Sequence, residues 1–307
     1  MDNAEMWCGP APLGTGLPYV PGLDPELYRL ACIDFVEIVP DTLCGPDRFG
    51  DGIILLPEAL ERARAICGAL PIVVHGVDLS IGSARRWNES YIRMLDAFRQ
   101  AWPFRWHSEH LHFQTIDRDD GRGEVATGVP LPMPLTHEAI DLVAERASAL
   151  TQRYGVPFLL ENAAHYLGTL PGDADIEDEA ALLNCIVARG RCGILLDLHN
   201  LHCNAVNNGI DAEDTLDRLR LDRVIEIHVA GGSWSEGFRL DAHDGLVPEA
   251  VWHLLEMALP RCPNIAGLTF EIMEGHAVHM GSDAIAGELE RLSAAWLHHV
   301  AASQATS

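Results

Sequence analysis

The sequence predicts an α/β protein with the (β/α)8 TIM-barrel fold, and three observations support this. Short apolar runs alternate with segments of helical periodicity along the chain, the pattern of parallel β/α units. The length, 307 residues, is one that a single α/β barrel occupies. No GxGxxG motif follows the first apolar run, which counts against a dinucleotide-binding sheet. We therefore expect a single domain over residues 1–307, with the barrel at about 10–300 and a short disordered C-terminal tail.

Each predicted strand is a short apolar run bounded by turn signals or by a helical segment. In chain order these runs are GLPYV near residue 17, CIDFVEIVP (32–40), PIVVH (71–75), FRWHSEH (104–110), VPFLLEN (156–162), CGILLD (192–197), VIEIHV (224–229) and IAGLTFE (265–271).

Four helices are predicted between and after these strands. The segment 57–70 begins with a proline at a first-turn position, and 136–155 has a threonine cap and a glycine stop. Segments 178–190 and 282 to about 300 show the same periodicity. The segment 116–134, with Asp, Gly, Arg and Pro, is predicted as a loop forming a lid or a surface excursion.

The charge balance bears on possible partners. Twenty-one basic and 45 acidic residues give a net charge of −24, which suits cations or a basic partner and argues against nucleic acid. The N-terminus shows no secretory signal, and no run of about 18 uncharged apolar residues predicts a membrane span. The eight cysteines are scattered without a CxxC motif, as in a cytoplasmic protein with reduced thiols.

Polar residues at the strand ends predict a metal site. Six of the predicted strands end in a histidine or a carboxylate, and the loop after the seventh strand adds two more candidates. These candidates are His75, His110, Glu161, Asp197, His228, Glu271, Asp241 and His243. The carboxyl ends of barrel strands meet at one face, so these side chains should converge there. A single such histidine is more often structural, but a converging set of nitrogen and oxygen donors predicts two or three ions of iron, manganese or zinc.

The stretch 192–208 is the densest part of this pattern. A buried strand delivers Asp197, and His199, Asn200 and His202 follow directly. A carboxylate buried at this point is costly without a metal or another charge partner. The alternative is an exposed loop of ordinary polar residues.

Several motifs together resemble one known family. They are HGVDLSIGS (75–83), SEHLHF (108–113), LPMPLTHEAID (131–141), LLEN (159–162), LLDLHNLHCNAVNNGID (195–211), EIHVAGG (226–232) and DAHDGLVPEAVW (241–252). Their order and spacing are similar to those of the DUF692 family of multinuclear non-haem iron-dependent oxidases, which includes the methanobactin-biosynthesis enzyme. The resemblance covers roughly residues 10–290.

The resemblance implies a fold and an activity. The fold would be a TIM barrel close to xylose isomerases and endonuclease IV. The activity would be an O2-dependent oxidation of a residue (Cys, or else Asp or Asn) in a ribosomally synthesised precursor peptide, as part of natural-product biosynthesis. The cofactor would be two or three iron ions in mixed Fe(II)/Fe(III) states, with O2 as co-substrate.

The resemblance also implies roles for individual residues. His75 and His110 would bind one iron with Glu161 bridging, and a second iron would be bound by Asp197, His228 and Glu271. Asn200, Asp241 and His243 would hold a third ion more loosely. Asn162 would line the substrate cavity, although a strand-end cap is an equal alternative. No catalytic residue beyond the metal ligands is implied.

The chain departs from the family at four places. Ala230, Gly231 and Gly232 stand where the family usually reads AGH, and 207–209 read NNG in place of NHG. Residues 161–164 read ENAA where the family has ENPS or ENxS. His199 and His202 replace the usual Asn and Tyr; we predict that they bind substrate, and they either modify the third site or pack beside it. These departures leave the modified residue and the product open.

Other functions remain open at this point. A metal-dependent sugar isomerase or a phosphodiesterase of the same barrel type would use metals as Lewis acids or to activate water. A non-enzymatic scaffold that binds a precursor peptide is a further alternative. For an oxidase, we expect a separate partner protein that binds the leader peptide, because no recognition module is apparent after the barrel.

Overall fold

The computed structural model describes residues 9–46, 52–118, 123–167 and 175–305. Its centre is a closed barrel of eight parallel strands, and each strand lies beside its neighbours in sequence. The strands are β1 Gly14–Pro18, β2 Phe35–Ile38, β3 Ile72–Gly76, β4 His107–His110, β5 Phe158–Glu161, β6 Gly193–Asp197, β7 Val224–Val229 and β8 Gly267–Phe270. All eight predicted strands are confirmed, and the protein is a TIM barrel.

Strand β1 closes the barrel by pairing with β8 on one side and β2 on the other. Gly14 aligns with Gly267, and Gly16 aligns with Phe35. A Cβ at Gly16 would lie only 2.4 Å from the ring of Phe35, so glycine is needed for this aromatic ring to fill the barrel. An apolar layer of buried side chains lies inside the barrel: Phe35, Val73, Trp106, Leu159, Leu195, Ile225 and Ala266.

Helices cover the outside of the barrel. They are α1 Pro57–Cys67, α2 Glu89–Ala101, α3 His137–Tyr154, α4 Glu179–Gly190, α5 Leu198–Asn208, α6 Ala212–Arg218, α7 Glu249–Ala258, α8 Glu274–Met280 and α9 Ser282–Ala305. The four predicted helices correspond to α1, α3, α4 and α9. The predicted threonine cap is present, because Thr136 Oγ1 accepts a hydrogen bond from the amide of Ala139 at 3.2 Å. Gly155 ends α3 in the left-handed conformation, as the glycine stop predicted.

Two local predictions are wrong. The segment 116–134 is not simply a loop, because His112–Asp117 and Glu124–Pro132 pair as an antiparallel hairpin after β4. The expected disordered tail is helical instead, since α9 continues to Ala305. This stretch is rich in Ala, Ser and Gln and contains no glycine or proline that would end the helix.

Two further observations concern membrane-spanning helices and the cysteines. In the described ranges, no helix is long and apolar enough to cross a membrane. The seven cysteines in these ranges are free thiols, and Cys67, Cys192, Cys203 and Cys262 are buried.

Candidate metal centre

The predicted ligands converge at the carboxyl-terminal mouth of the barrel. His75, His110, Glu161, Asp197 and His228 lie at or near the ends of five successive strands, and Glu271 follows β8 directly. Among the described residues, the histidines and carboxylates form five overlapping groups that could hold a metal ion, with ligand atoms within 4.8 Å of one another. The groups are His75–His110–Glu161, Glu161–Asp197–His228, Glu37–His228–Glu271, Asp197–His243–Glu271 and His199–Asp241–His243.

The first group is centred on one oxygen of Glu161. Glu161 Oε2 lies 3.3 Å from His75 Nε2 and 3.3 Å from His110 Nε2. Glu161 Oε2 and His75 Nε2 are buried, and neither has a hydrogen-bond partner. Orphaned buried polar atoms are rare in folded proteins, because desolvation without compensation costs on the order of 1–3 kcal/mol each. A cation between these atoms would satisfy them.

Ser108 sets the tautomer of His75. The Ser108 hydroxyl donates to the carbonyl of Val74 at 3.2 Å, and Nδ1 of His75 lies 2.9 Å from the same hydroxyl oxygen. Since the single hydroxyl proton is used on Val74, His75 Nδ1 carries the proton and donates to Ser108. The lone pair of Nε2 therefore faces Glu161, as metal binding requires.

The second group shares Glu161 with the first. Asp197 is both the last residue of β6 and the N-cap of α5, and its Oδ1 accepts a hydrogen bond from the amide of Asn200 at 2.6 Å. Its other oxygen, Oδ2, is buried without a partner. His228 Nδ1 lies 3.1 Å from Glu271 Oε2. One oxygen of Asp197 is therefore free to bind a second ion, and the Nδ1 edge of His228 faces Glu271.

Two carboxylates in the barrel interior were not predicted from the sequence. Glu37 Oε2 lies 3.1 Å from Nε2 of His228, on the opposite edge of the ring from Glu271. Glu226 lies 3.6 Å from the same nitrogen, and it accepts hydrogen bonds from Trp106 and Thr269. The sequence signal that could have found them is the glutamate within the runs CIDFVEIVP and VIEIHV, which in both runs stands between two apolar residues.

The third group contains Asp241 and His243, two of the three residues predicted for the third ion, together with His199. Asp241 Oδ1 lies 2.7 Å from His243 Nε2 and 2.9 Å from His199 Nδ1. Asn200 also contacts the first group, where its Nδ2 donates to Glu161 Oε1 at 3.0 Å. The Oδ1 atom of Asn200 is buried without a partner, so it remains available as a ligand atom. His243 adopts a left-handed backbone with φ 49°, an uncommon conformation for a non-glycine residue that is frequent at functional sites.

Burial and neighbouring carboxylates raise the pKa of two carboxylates at this face. Burial, followed by repulsion from Asp197 and Glu271, raises the pKa of Glu161 well above its ordinary value. Burial, followed by repulsion from Asp241 and Glu271, raises the pKa of Asp197 to about 8. Carboxylates in this situation stay protonated unless a cation offsets the repulsion. Binding of a metal ion would therefore release protons from this face.

At the third group, by contrast, the pKa values of Asp241 and His243 shift so as to favour their charged forms. Burial favours the neutral form of Asp241, but His243 and His199 outweigh it and hold its pKa below the ordinary range. Burial likewise opposes the charge of His243, but Asp241 and Glu271 raise its pKa to about 10. Asp241, His243 and Glu271 thus form a network of ion pairs in this part of the site.

The remaining predicted residues lie beside the ligands. Both polar atoms of the Asn162 side chain pair with the backbone of Asp197, at 2.9 Å to its amide and 2.8 Å to its carbonyl. This is the arrangement of a strand-end cap. His202 belongs to none of the five groups and lines a surface depression with Asp211 and His253. Contacts of Asn162, His199 and His202 with a substrate remain predictions.

The fold and the site define a class of protein: a TIM barrel with several potential metal positions at its mouth. Imidazole nitrogens mixed with carboxylate oxygens suit iron, manganese or zinc, and the unpartnered buried atoms fit such ions. Residues 14–274 match the family model described as "RiPP precursor modification enzyme MbnB/TglH/ChrH", where RiPP denotes a ribosomally synthesised and post-translationally modified peptide. The chain belongs to this family and is an enzyme.

Relatives in three bacteria are similar over most of the chain. A UPF0276 protein of Caulobacter vibrioides is 31% identical over 253 residues, 80% of this chain and 84% of that protein. One from Acinetobacter baylyi is 31% identical and covers 75% of this chain and 73% of its own length. One from Haemophilus influenzae is 29% identical, with 82% and 85% covered.

Solved structures with low sequence identity share the fold. A D-psicose 3-epimerase from Clostridium cellulolyticum has a TM-score of 0.55 at 10% identity, covering 91% of this chain and 96% of its own. A putative xylose isomerase from Rhodospirillum rubrum has a TM-score of 0.51 at 14% identity, with 94% and 99% covered. These similarities confirm the predicted xylose-isomerase-like barrel.

Proposed function

We propose that this enzyme is a multinuclear non-haem iron-dependent oxidase that uses O2 to modify a residue of a ribosomal precursor peptide. The modified residue is Cys, or else Asp or Asn. The observation that carries the proposal is the position of Glu161 Oε2, 3.3 Å from the Nε2 atoms of both His75 and His110 and without a hydrogen-bond partner. Membership of a family of peptide-modifying enzymes supports the substrate class.

The proposed centre holds two or three iron ions. One is bound by His75, His110 and Glu161, and Glu161 also approaches the group of Asp197 and His228. A shared carboxylate of this kind suits a pair of neighbouring ions, with Glu271 completing the second set. Asn200, Asp241 and His243 are the proposed ligands of the third ion.

Iron at these positions would supply the one-electron chemistry that lets O2 oxidise the bound residue, in mixed Fe(II)/Fe(III) states. The chain orients the metal-binding side chains and shields them from water. Ser108 and Glu37 fix the orientation of the His75 and His228 rings from their far edges. The ring of His110 is the most exposed of these imidazoles, with 21% of its side chain accessible, so this edge of the centre faces the mouth where a peptide would enter.

Exposed apolar side chains on the loops after β5, β7 and β8 support a peptide substrate. Trp234 is 61% exposed, and Leu246, Met273, Phe238 and Tyr166 are also exposed at this end of the barrel. A single exposed apolar residue needs no explanation, but a group around a site is typical of an interaction surface. We include in the proposal a separate leader-peptide-binding partner and a cytoplasmic location, which suits the free thiols.

Aerobic incubation with a precursor peptide tests this function. The iron-loaded enzyme, with its partner protein, is mixed with the peptide encoded beside its gene, and intact peptide mass is measured with and without O2. We expect a mass change that requires both iron and O2 and that is lost in Glu161→Gln. An unchanged peptide with fully iron-loaded enzyme would overturn the proposal. A change that proceeds with zinc and without O2 would indicate isomerase or hydrolase chemistry instead.

A further inference from the structure

The first turn of α5 places an imidazole at the third group of potential ligands. His199 is fully buried, and its Nδ1 lies 2.9 Å from Asp241 Oδ1. The same oxygen lies 2.7 Å from His243 Nε2. One carboxylate oxygen is therefore approached from two sides by ring nitrogens, and potential ligand atoms of the three residues lie within 4.8 Å of one another.

Asp241 and His243 form a close ion pair, with His243 Nε2 2.7 Å from Asp241 Oδ1. The two atoms are close, yet His243 Nε2 is buried and has no aligned hydrogen-bond partner. A cation that contacts both this ring nitrogen and the carboxylate oxygen would satisfy the buried nitrogen. His243 is 6% exposed, so water is a poor substitute for that cation.

The backbone around His199 is shaped to admit its ring. A Cβ at Gly232 would lie 2.8 Å from His199 Cε1 and 3.1 Å from its Nε2, and also 2.0 Å from the carbonyl oxygen of Leu240. A side chain at 232 would therefore displace the imidazole or the loop. On the other side, the thiol of Cys203 lies 3.7 Å from Nε2. The ring is thus confined with its Nδ1 edge toward Asp241.

We infer that His199 is a direct metal ligand, so that the third site consists of His199, Asp241 and His243 with Asn200 at most an additional oxygen donor. This inference rests on the proposed metal centre and specifies its third position. Two imidazoles and a carboxylate make a nitrogen-rich site of the kind that suits iron or zinc. The third ion should accordingly be retained through gel filtration together with the other two.

An alternative role for His199 is to orient Asp241 through a hydrogen bond alone. A glutamine at 199 separates the two roles, because its amide can still donate to Asp241 but is a poor ligand for iron. His202→Gln is the matched control, since His202 lies on the same helix and belongs to none of the potential metal groups. Circular dichroism of each variant establishes that the barrel is folded.

The test measures metal content and metal position. Each protein is loaded anaerobically with Fe(II), passed through gel filtration and assayed for iron, and the wild type is crystallised for anomalous diffraction at the iron edge. We expect three ions in the wild type and in His202→Gln, and two in His199→Gln, with the dissociation constant of the third ion raised at least about 10-fold. In the wild-type crystal, a His199 nitrogen should lie about 2.0–2.2 Å from the third iron.

Either of two results would overturn the inference. The first is that the wild type retains only two ions. The second is that the third iron lies beyond bonding distance of His199 and that the iron content of His199→Gln equals that of the wild type. The diffraction result does not depend on any variant folding. If the wild type binds two ions and still modifies the peptide, this inference is refuted and the proposed function stands. If it binds three ions and does not modify the peptide, the proposed function is refuted and this inference stands.

Discussion

Glu37 Oε2 lies 3.1 Å from His228 Nε2, inside the barrel and on the far side of the ring from Glu271. Burial, only partly offset by His228, raises the pKa of Glu37 to about 7. A carboxylate behind a metal-binding imidazole fixes the ring and increases the basicity of the nitrogen that faces the metal. In the proposed metal centre, Glu37 would therefore be a positioning residue for His228.

Replacing Glu37 with Gln should weaken the second metal position. The amide keeps the shape but not the charge, so we expect iron affinity at this position to fall about 10- to 100-fold, with a parallel loss of activity at limiting iron. Anaerobic iron titration measures the affinity, and excess iron should restore part of the activity. An unchanged titration curve would show that Glu37 does not act through His228.

Replacing Glu161 with Gln should have the largest effect on metal content. Glu161 belongs both to the group of His75 and His110 and to the group of Asp197 and His228, so the neutral amide removes a ligand that two proposed positions share. We expect loss of more than one iron per chain and a fall in activity on the order of 100-fold or more. Glu109→Gln is the matched control, because Glu109 is also buried at the end of a strand but belongs to none of the potential metal groups. Equal iron content in the two variants would contradict the assignment.

Replacing Ser108 with Ala should affect the first position through His75. Without the hydroxyl, the Nδ1 proton of His75 loses its acceptor and the other tautomer, with its proton on Nε2, becomes accessible. We expect iron affinity at this position to fall about 10-fold and the free energy of unfolding to drop by about 1 kcal/mol. Ser83→Ala removes another buried hydroxyl, bonded to Ser80 and Thr115, and should leave iron affinity unchanged. A similar loss in both variants would indicate general destabilisation.

His107 should make the fold acid-sensitive independently of the metal site. It packs among Tyr91, Phe104, Tyr154 and Phe158 with neither ring nitrogen hydrogen-bonded, and burial lowers its pKa to about 3. Because the folded-state pKa lies below the unfolded value, the unfolded chain takes up a proton that the folded chain does not. The stabilising effect of a neutral His107 is therefore present above about pH 6.5 and is lost progressively as the pH falls toward 3.

His107→Phe, which does not titrate, provides the measurement. Between pH 6.5 and 4.5 the free energy of unfolding of the wild type should fall relative to this variant by about 1.4 kcal/mol per pH unit. Urea unfolding at each pH gives the difference, in which the other titrating groups largely cancel. A difference between the two proteins that does not vary with pH would show that His107 is not buried in its neutral form.

The barrel was predictable because its strands are apolar runs bounded by turns. VIEIHV (224–229) coincides with β7, and CGILLD differs from β6 only at its first residue. The convergence of histidines and carboxylates at the strand ends was predictable for the same reason, since parallel strands bring their carboxyl ends together. The hairpin that includes Glu124–Pro132 was missed because its glycine and prolines indicate a loop, whereas pairing with His112–Asp117 overrides that local signal.

Side-chain direction was the part that the sequence could not supply. The family resemblance implied that Asn200 binds the third ion, and His199 was predicted to bind substrate while it modifies the third site or packs beside it. Helix α5 begins at Leu198, so successive side chains diverge by roughly 100° around the helix axis, and Asn200 faces Glu161 while His199 faces Asp241.

The spacing of the metal ions tests the central claim most directly. X-ray absorption at the iron edge of the anaerobically loaded protein should show an iron–iron distance of about 3.5–4 Å, as in two-metal sites with a shared carboxylate. The distance should be absent from Glu161→Gln. A protein loaded with at least two irons per chain that shows only nitrogen and oxygen neighbours, with no iron–iron distance, would contradict a centre organised around Glu161.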